Sequence, residues 1–377
     1  MEQKPTFNQP IDVTKKQKFT KLKAFLHKRP TKKHFAIFAG ISAGVLIAGI
    51  VGVKFLWPKP AEPNPVPEVV SSYTPPAPTT VASPLTGVMV APDIAKRPVT
   101  GIMVENSIDA RPQSGLTDAG IVFEAIAEGG ITRFLGLFQE SRPGNVGPIR
   151  SARPYYVEWL KGYDASYLHS GGSPEALALI RSLGVKDLDH GNYGERIAKR
   201  VSSRYAPHNV YSNFDTIDAL NSELGYMSSE FTPFTRKEPT KPAEGVALTA
   251  TKIAFSISGA NYNTSYTYDA TTNSYARVLA GRPHTDQDSG KQISPSVVIA
   301  LVTEYSLHPD GVHSVYRTTG TGEVLVFQDG NVATGTWKKS SAKDSLVLLS
   351  TDGKPLALNV GQAWITAIQG GRVTYAP

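Results

Sequence analysis

The feature that most constrains this chain is an apolar run of 19 residues, 35–53, with no charged side chain and a single hydroxyl residue, Ser42. At about 1.5 Å per residue, a helix of this length spans roughly 28 Å, close to the hydrocarbon thickness of a bilayer. Lys54 and the apolar 55–57 then suit a membrane interface. The pattern predicts one transmembrane helix over 35–57. A cleaved signal peptide is the alternative, but the run is long for one and no A-x-A cleavage site follows.

The positive charge of the chain is concentrated before this helix. The formal net charge is +7, and residues 1–33 contain ten Lys and Arg against two acidic residues. Residues 58–377 contain 28 basic and 30 acidic side chains. Because basic flanks stay in the cytoplasm, we expect a cytoplasmic tail over 1–34, a single pass through the cell membrane, and extracytoplasmic domains. The nearly neutral folded part argues against nucleic-acid binding.

The segment after the helix, 58–85, is predicted to be a linker because nine prolines fall between positions 58 and 84. Such a sequence forms an extended, semi-rigid spacer that holds a folded domain away from the membrane. The chain also has no cysteine. Disulfides, Cys-ligated zinc, a Cys nucleophile and a lipid-modified N-terminal Cys are therefore excluded.

Beyond the linker, two stretches separated by 236–245 predict an α+β fold in two domains. The first, 86–235, mixes strand and helix signals and is predicted to be a mixed α/β domain. Its predicted strands are 99–104, 121–127, 131–138 and 165–169, and its predicted helices are 151–161, 173–182 and 213–224. The second, 246–377, is predicted to be β-rich. Its predicted strands are 252–256, 265–268, 274–279, 296–304, 323–328, 334–338, 346–349 and 363–368.

Two arginines, Arg150 and Arg153, stand in the segment GPIRSARPYY. On a helix, their spacing of three would place them on one face. The planar fork of a guanidinium matches phosphate and carboxylate groups, so the pair is a candidate site for an anionic ligand. The alternative is an ion pair with Glu124, Glu128 or Glu158.

The segment HSGGSP is a second candidate, since it lies between a predicted strand and a predicted helix. Gly171 and Gly172 allow close approach of a ligand to the backbone, and the N–H groups at a helix start attract anions. Together with His169 and Ser173 they form a candidate ligand-binding turn. The alternative is a tight strand-to-helix turn that Ser173 caps.

A third polar set, Arg204, His208 and Asn209, lies around a proline in the segment RYAPHN and adds candidate ligand-binding side chains.

The acidic series contains Glu105 and, as the selected candidates, Asp118, Glu124 and Glu128. Glu124 and Glu128 have an even spacing on one predicted strand, which would place both on the same face for acid–base work or cation binding. The alternative is a pair of solvated carboxylates. We predict no metal site and no cofactor, because H-E-x-x-H is absent and the separation of His308 from His313 does not match helical metal spacing.

Four segments are specific enough to carry a family resemblance: 97–138, which begins RPVTGIMVEN, 146–159 (VGPIRSARPYYVEW), 169–174 (HSGGSP) and 206–211 (APHNVY). They resemble the YerB-like family of bacterial surface proteins, whose domain has no known function. The resemblance implies a two-part extracytoplasmic module, and it brings no reaction and no catalytic residues. Many relatives look like lipoproteins, whereas this chain has no cysteine.

The order of basic tail, membrane helix and α/β domain is also similar to that of the LytR-CpsA-Psr enzymes, which transfer polyprenyl-phosphate-linked glycopolymers to the cell wall. This likeness is one of layout and remains an analogy.

Three functional hypotheses follow from the sequence. The first is a binding module of the cell envelope that recognises an anionic or glycan-containing ligand, such as a cell-wall polymer, through the arginines and histidines above. The second is an envelope enzyme acting on phosphate-linked glycans, with Asp118 or Glu124 as base, which requires these carboxylates to converge with the arginines. The third is a protein-binding scaffold, which an exposed apolar patch on the second domain, together with no pocket in the first, would favour.

Overall fold

The computed structural model describes residues 79–243 and 245–377. The predicted cytoplasmic tail, the predicted transmembrane helix and most of the predicted linker lie outside these residues. None of the helices in this part of the chain is long and apolar enough to cross a bilayer.

The first part of the described chain alternates short strands with helices. Its strands are β1 (Val81–Ala82), β2 (Met89–Val90), β3 (Thr100–Glu105), β4 (Ile121–Glu128), β5 (Ile131–Phe138), β6 (Ser166–His169), β7 (Lys186–Asp189), β8 (Lys199–Arg200), β9 (Val210–Tyr211) and β10 (Arg236–Lys237). Its helices are α1 (Pro92–Ala95), α2 (Pro154–Lys161), α3 (Pro174–Leu183), α4 (His190–Tyr193) and α5 (Phe214–Glu223). Every element predicted for 86–235 is present. Strand β7 was not predicted, because KDLD contains a single apolar residue.

The second part of the described chain is built from strands, as predicted. They are β11 (Lys252–Phe255), β12 (Thr264–Asp269), β13 (Ser274–Leu279), β14 (Arg282–Pro283), β15 (Val297–Val302), β16 (Tyr305–Leu307), β17 (Ser314–Tyr316), β18 (Gly320–Gln328), β19 (Asn331–Lys339), β20 (Val347–Ser350), β21 (Leu358–Asn359), β22 (Ala363–Ile368) and β23 (Val373–Ala376). The sequence analysis did not predict the hairpin β16–β17, the two-residue strands β14 and β21, or the last strand, β23.

One ten-stranded sheet runs through both parts, in the order β20-β19-β18-β15-β22-β4-β5-β3-β6-β7. The two parts join where β22 pairs in parallel with β4, with Trp364 opposite Val122 and Thr366 opposite Glu124. Residues Pro76–Pro377 form one compact unit. The α+β class is confirmed. The boundaries between two domains stay a prediction, and backbone pairing across them makes a continuous sheet.

The central strand β4 is apolar along its length because both of its faces are covered. It is buried from Ile121 onward, and only its last residue is partly exposed. On one face Phe123 stacks on Trp159 of α2, with ring centroids 5.3 Å apart. The neighbouring Glu124 points the other way and meets Arg277 of β13. That second face is covered by the five-stranded sheet β14-β13-β12-β11-β23.

The ten-stranded sheet also brings polar side chains together at one edge. Strands β3, β6 and β7 are parallel, and β4 runs with them because β3 and β4 are both antiparallel to β5. Their carboxyl ends carry Glu105, Glu128, His169 and Asp189. Ligands of open α/β sheets bind outside the carboxyl ends of strands. A ligand site is therefore expected at this edge of the sheet.

Helix α2 begins at Pro154, three residues later than predicted, so the expected helical face with Arg150 and Arg153 is wrong. Arg153 has extended backbone, with φ −135° and ψ 150°. A residue before proline is kept out of the helical region by a clash with the proline ring, whereas proline itself suits the first helical position. Arg150 lies in the preceding segment, where its N–H donates to Met103 O at 3.0 Å.

Candidate functional site

The Glu105 carboxylate, at the end of β3, gathers three polar side chains. Its Oε1 lies 3.2 Å from Arg150 Nε and 3.0 Å from His208 Nδ1, and it accepts a hydrogen bond from Ser107 Oγ at 2.9 Å. Glu105 is only 3% exposed. Its Oε2 has no hydrogen-bond partner among the described residues. The enclosed carboxylate thus orients the arginine and the histidine, both of which reach outward.

The outer ends of these side chains are open. The side chain of Arg150 is 27% exposed. Its Nε is enclosed and makes an ion pair with Glu105 without a hydrogen bond. Its two terminal nitrogens also make no hydrogen bond to the described residues, but they are not enclosed. The side chain of His208 is 13% exposed, and its Nε2 makes no hydrogen bond to the described residues and is not fully enclosed, since only Nδ1 faces Glu105. Tyr205 is 64% exposed and meets the His208 ring edge-on, with centroids 5.5 Å apart. We call Arg150, Tyr205 and His208 the Arg150 surface.

Arg153, by contrast, makes the ion pair that the sequence left as its alternative. Its Nε and Nη2 lie 3.1 Å and 2.8 Å from Glu128 Oε2, and its Nη1 donates to Ala152 O at 2.7 Å. Arg133 pairs with the other oxygen of Glu128. Burial lowers the pKa of Arg153, and the charge of Arg133 adds to this. All three guanidinium nitrogens of Arg153 are occupied, so its contacts hold the 150–153 segment in place.

The polar groups of the 169–174 turn make hydrogen bonds to other groups of the protein. His169 is fully buried, and its ring nitrogens face Gly171 O at 2.8 Å and Asp187 Oδ1 at 3.0 Å. The Gly171 N–H donates to Asp189 Oδ1 at 2.8 Å. Ser173 caps α3 with its side chain. The carboxylate of Asp189 therefore occupies the position where the sequence predicted a bound anion.

Gly172 brings this turn against the arginine segment. It forms a parallel bridge with Ala152, and a Cβ at this position would lie 3.2 Å from the Ala152 Cβ. Ser170 N–H donates to Arg150 O at 3.0 Å. The turn and the arginine segment are thus neighbours in the structure.

Arg204 and Asn209 are engaged with backbone carbonyls. Arg204 donates to Asp109 O at 2.9 Å and to Pro112 O at 2.7 Å. Asn209 donates to Val201 O at 3.1 Å and to Arg204 O at 3.2 Å. These contacts position the loop that carries His208 and the loop that follows β3.

Glu124 is enclosed and paired, and it does not share a face with Glu128. Its Oε2 accepts from Arg277 Nη2 at 2.7 Å and from Trp364 Nε1 at 2.9 Å, and neither charged side chain is exposed. The predicted common face is wrong because the pairing of β4 with β5 shifts between Ile126 and Glu128. Such a bulge inserts a residue and reverses the alternation beyond it.

Asp118 lies in a different cleft, of about 450 Å³, whose lining includes Asn145, Asp286 and Asp288. Desolvation raises the pKa of Asp118, and the charge of Asp286 adds to the rise. Between residues 79 and 377, position 244 aside, no three His, Asp or Glu side chains are arranged to hold a metal ion. The structure brings neither Asp118 nor Glu124 into contact with Arg150.

Two residues of the site were not selected from the sequence as ligand-binding candidates. Glu105 ends an apolar strand, and its position at a carboxyl end is the signal that points to it. Tyr205 stands within RYAPHN, but its exposure depends on the loop conformation and is not visible in the pattern.

The scaffold hypothesis would be favoured by an exposed apolar patch in the second part of the chain together with no pocket in the first. Leu307, Val312 and Val315 are 56%, 50% and 42% exposed. They lie on the hairpin β16–β17 and its connecting loop. The first part also contains a cleft, whose lining includes Ile197, Ala198 and Tyr211, so the two conditions are not met together.

The chain matches two family models, both described as protein of unknown function (DUF3048), with the N-terminal domain over residues 85–227 and the C-terminal domain over 252–365. It is 32% identical over 290 residues to "Putative lipoprotein YerB" of Bacillus subtilis (strain 168), which covers 76% of this chain and 86% of that protein. The crystal structure of the YerB protein from Bacillus subtilis superposes with a TM-score of 0.71 at 29% identity, over 79% of this chain and 100% of that one.

Proposed function

We propose that this chain, which belongs to the YerB-like family of proteins of unknown function, is a cell-envelope protein that binds an anionic glycan through the Arg150 surface. The observation that carries the proposal is the geometry of Arg150. Its Nε is held against the enclosed Glu105, while both terminal nitrogens are open. A guanidinium oriented in this way presents a rigid fork to a carboxylate or a phosphate.

A location in the cell envelope is supported by the relative in Bacillus subtilis, whose name describes it as a lipoprotein. A lipoprotein is attached to a membrane by acyl chains. This chain has no cysteine to acylate, and the apolar run 35–57 takes the place of the lipid in our proposal. The Pro-rich 58–85 would then carry the folded unit away from the lipid surface.

The side chains around Arg150 favour a sugar as the carrier of the anion. The open Nε2 of His208 exchanges hydrogen bonds with hydroxyl groups. The exposed ring of Tyr205 offers an apolar face of the kind on which a sugar ring packs. Glu105 offsets part of the positive charge of Arg150, so affinity should come from oriented hydrogen bonds more than from net charge. Binding should accordingly weaken only modestly with added salt.

Replacing Arg150 with alanine should weaken binding of a phosphate-linked wall glycopolymer about 10- to 100-fold, because a hydrogen bond to a charged group contributes about 1.5–3 kcal/mol. Isothermal titration of the unit Pro76–Pro377 with the polymer would measure it. This unit is suitable because the solved structure of the relative matches, over its whole length, about four-fifths of this chain. Dextran, a neutral polymer, should bind more weakly than the phosphate-linked one.

The matched control is Arg181→Ala, which removes the same charge from an exposed position on α3. It should leave the affinity unchanged. Tyr205→Ala is a second probe, since this exposed side chain can be removed without opening the core; we expect binding about threefold to tenfold weaker. Equal affinities for the wild type, Arg150→Ala and Tyr205→Ala would overturn the assigned surface.

A second candidate function, an envelope enzyme acting on phosphate-linked glycans, is favoured by one contact, that of Glu105 with His208 Nδ1 at 3.0 Å. A carboxylate that orients an imidazole with an open Nε2 is the arrangement of a general base. In this scheme, water gives a proton to His208 Nε2 and attacks phosphorus, the ester P–O bond breaks, and the proton passes to the leaving oxygen. Arg150 would stabilise the charge on the phosphoryl oxygens.

For the enzyme, His208→Asn should reduce release of p-nitrophenol from bis(p-nitrophenyl) phosphate by about 100-fold or more, the usual contribution of a general base. Binding of the wall polymer should change much less in this variant. Wild-type protein that releases no more p-nitrophenol than buffer does would exclude hydrolysis of this phosphodiester and leave the binding function as the proposal.

A further inference from the structure

Another cleft is lined in part by the loop that follows β3, and no sequence motif pointed to it. Its volume is about 580 Å³, and its lining includes Ile108, Arg111, Pro112, Leu279 and Arg282. This is the size of a site for a small ligand, for which about 300–1,000 Å³ is usual. Two arginines and no carboxylate stand among the described lining residues, so the cleft is electropositive.

Arg111 is held rigidly at one wall of this cleft. Its Nε donates to Asn106 Oδ1 at 3.0 Å, and its Nη2 donates to Asn106 O at 3.0 Å and to Asn261 O at 2.8 Å. The guanidinium also lies over the ring of Tyr262, 5.2 Å from its centroid. Its Nη1 makes no hydrogen bond to the described residues and is not enclosed. One donor is therefore fixed in place and open.

Arg282 supplies a second cation on the opposite wall. It begins β14, directly after the turn formed by Ala280 and Gly281, whose φ angles are +53° and +74°. Two left-handed residues make the tight hairpin turn that returns the chain to β13. Arg282 is exposed and has no ion pair or hydrogen bond to the described residues through its side chain. Its guanidinium is free to close over a ligand.

The groups directly behind the cleft are held in a buried, charge-balanced network. His284, another lining residue, is buried and donates its Nε2 proton to Gln113 Oε1 at 2.9 Å. Arg277 stands behind it, 2.6 Å from His284 Nδ1. The charge of Arg277 is balanced by Glu124, which leaves Arg111 and Arg282 without a carboxylate in the cleft itself.

We infer that this cleft binds a carboxylate or phosphate group, with Arg111 Nη1 as the preorganised donor and Arg282 as the mobile one. The apolar wall of Ile108, Pro112 and Leu279 would contact the uncharged part of the same ligand. None of Arg150, Tyr205 and His208 lines this cleft, so the inference does not depend on the proposed function.

Nitrogen-15 NMR of the arginine Nε–H groups in the unit Pro76–Pro377 tests this inference. Inorganic phosphate and D-glucuronate would be titrated separately at constant ionic strength, so that screening is the same throughout. The Arg111 and Arg282 signals should shift and saturate, with a Kd of about 1–10 mM for the better anion. The anion that saturates at lower concentration decides between a phosphate and a carboxylate ligand.

Arg282→Ala should raise this Kd about tenfold. Arg181→Ala, with the same loss of charge, and Arg150→Ala, at the other surface, should leave it unchanged. The cleft would be the wrong assignment if neither anion produced saturable shifts, or if Arg150→Ala abolished the Arg111 shift. It would also be wrong if Arg282→Ala and Arg181→Ala had equal effects.

Discussion

Replacing Arg277 with methionine should lower the free energy of unfolding by about 3–5 kcal/mol. Arg277 and Glu124 are both fully buried, and the change leaves the Glu124 carboxylate enclosed without its cation. Arg277 also donates to Tyr266 and lies over the Trp364 ring, 4.2 Å from its centroid. A methionine of similar length fills part of the space but offers neither a charge nor a donor.

Chemical denaturation of the unit Pro76–Pro377, followed by tryptophan fluorescence, measures this change. Arg282→Met is the matched control, since the same substitution at an exposed arginine should change stability by less than about 0.5 kcal/mol. The double variant Glu124→Leu, Arg277→Met removes both charges and should recover much of the loss. A free energy of unfolding of Arg277→Met within about 0.5 kcal/mol of the wild-type value would mean that the buried pair does not stabilise the contact between the two parts of the chain.

The second large effect concerns pH and depends on His284. Burial, together with the positive charges of Arg277 and Arg111, holds the pKa of His284 well below its ordinary value. The hydrogen bonds of the ring also fit a neutral imidazole, because Nδ1 accepts from Arg277 and Nε2 donates to Gln113. A proton on Nδ1 would face the N–H of Arg277. His284 therefore stays neutral in the folded protein at pH values at which it is protonated in the unfolded chain.

Because the pKa of His284 is depressed in the folded state, its contribution to stability is complete above about pH 6.5 and is lost as the pH falls below that value. The loss should approach about 1.4 kcal/mol for each pH unit. His284→Gln keeps one donor and one acceptor and does not titrate, so the wild type should lose stability relative to this variant between about pH 6.5 and pH 5. Unfolding midpoints at each pH measure the difference.

A control at another histidine separates this effect from general acid sensitivity. His308→Gln changes an exposed loop residue and should leave the wild-type slope between pH 6.5 and 5 nearly unaltered. Parallel stability curves for the wild type and His284→Gln over this interval would show that His284 is not the group responsible.

The secondary structure was largely predictable because its signals are local. The break at Glu128-Gly129-Gly130 predicted the β4–β5 hairpin, and both glycines have positive φ, at 56° and 78°. Ser173, Pro174 and Gly184 marked the two ends of α3, where Ser173 caps the start and Gly184 is left-handed at the end. Strands β7, β16 and β17 were not predicted because they have only three or four residues, too few for a clear alternation of apolar and polar side chains.

The candidate site was only partly predictable, and the reason lies in its geometry. The arginine segment and the HSGGSP turn were separate candidates because each suits an anion, and the structure places them side by side. The sequence does not show which of the two arginines can bind a ligand. In the structure Arg153 is paired with Glu128, whereas Arg150 keeps open donors. That difference follows from Pro154, which starts α2 late, and from the bulge before Glu128.

The amino-acid sequence by itself determined the location of the positive charge before residue 34, the absence of cysteine, and the 19-residue apolar run that predicts a membrane helix. These properties depend on residue types along the chain and need no partner. Only the tertiary structure decided which charges meet. Glu124 and Arg277 are 153 positions apart, and the parallel pairing of β22 with β4 helps bring their strands into one core. No local pattern encodes that contact, because its energy arises from burial shared by distant segments.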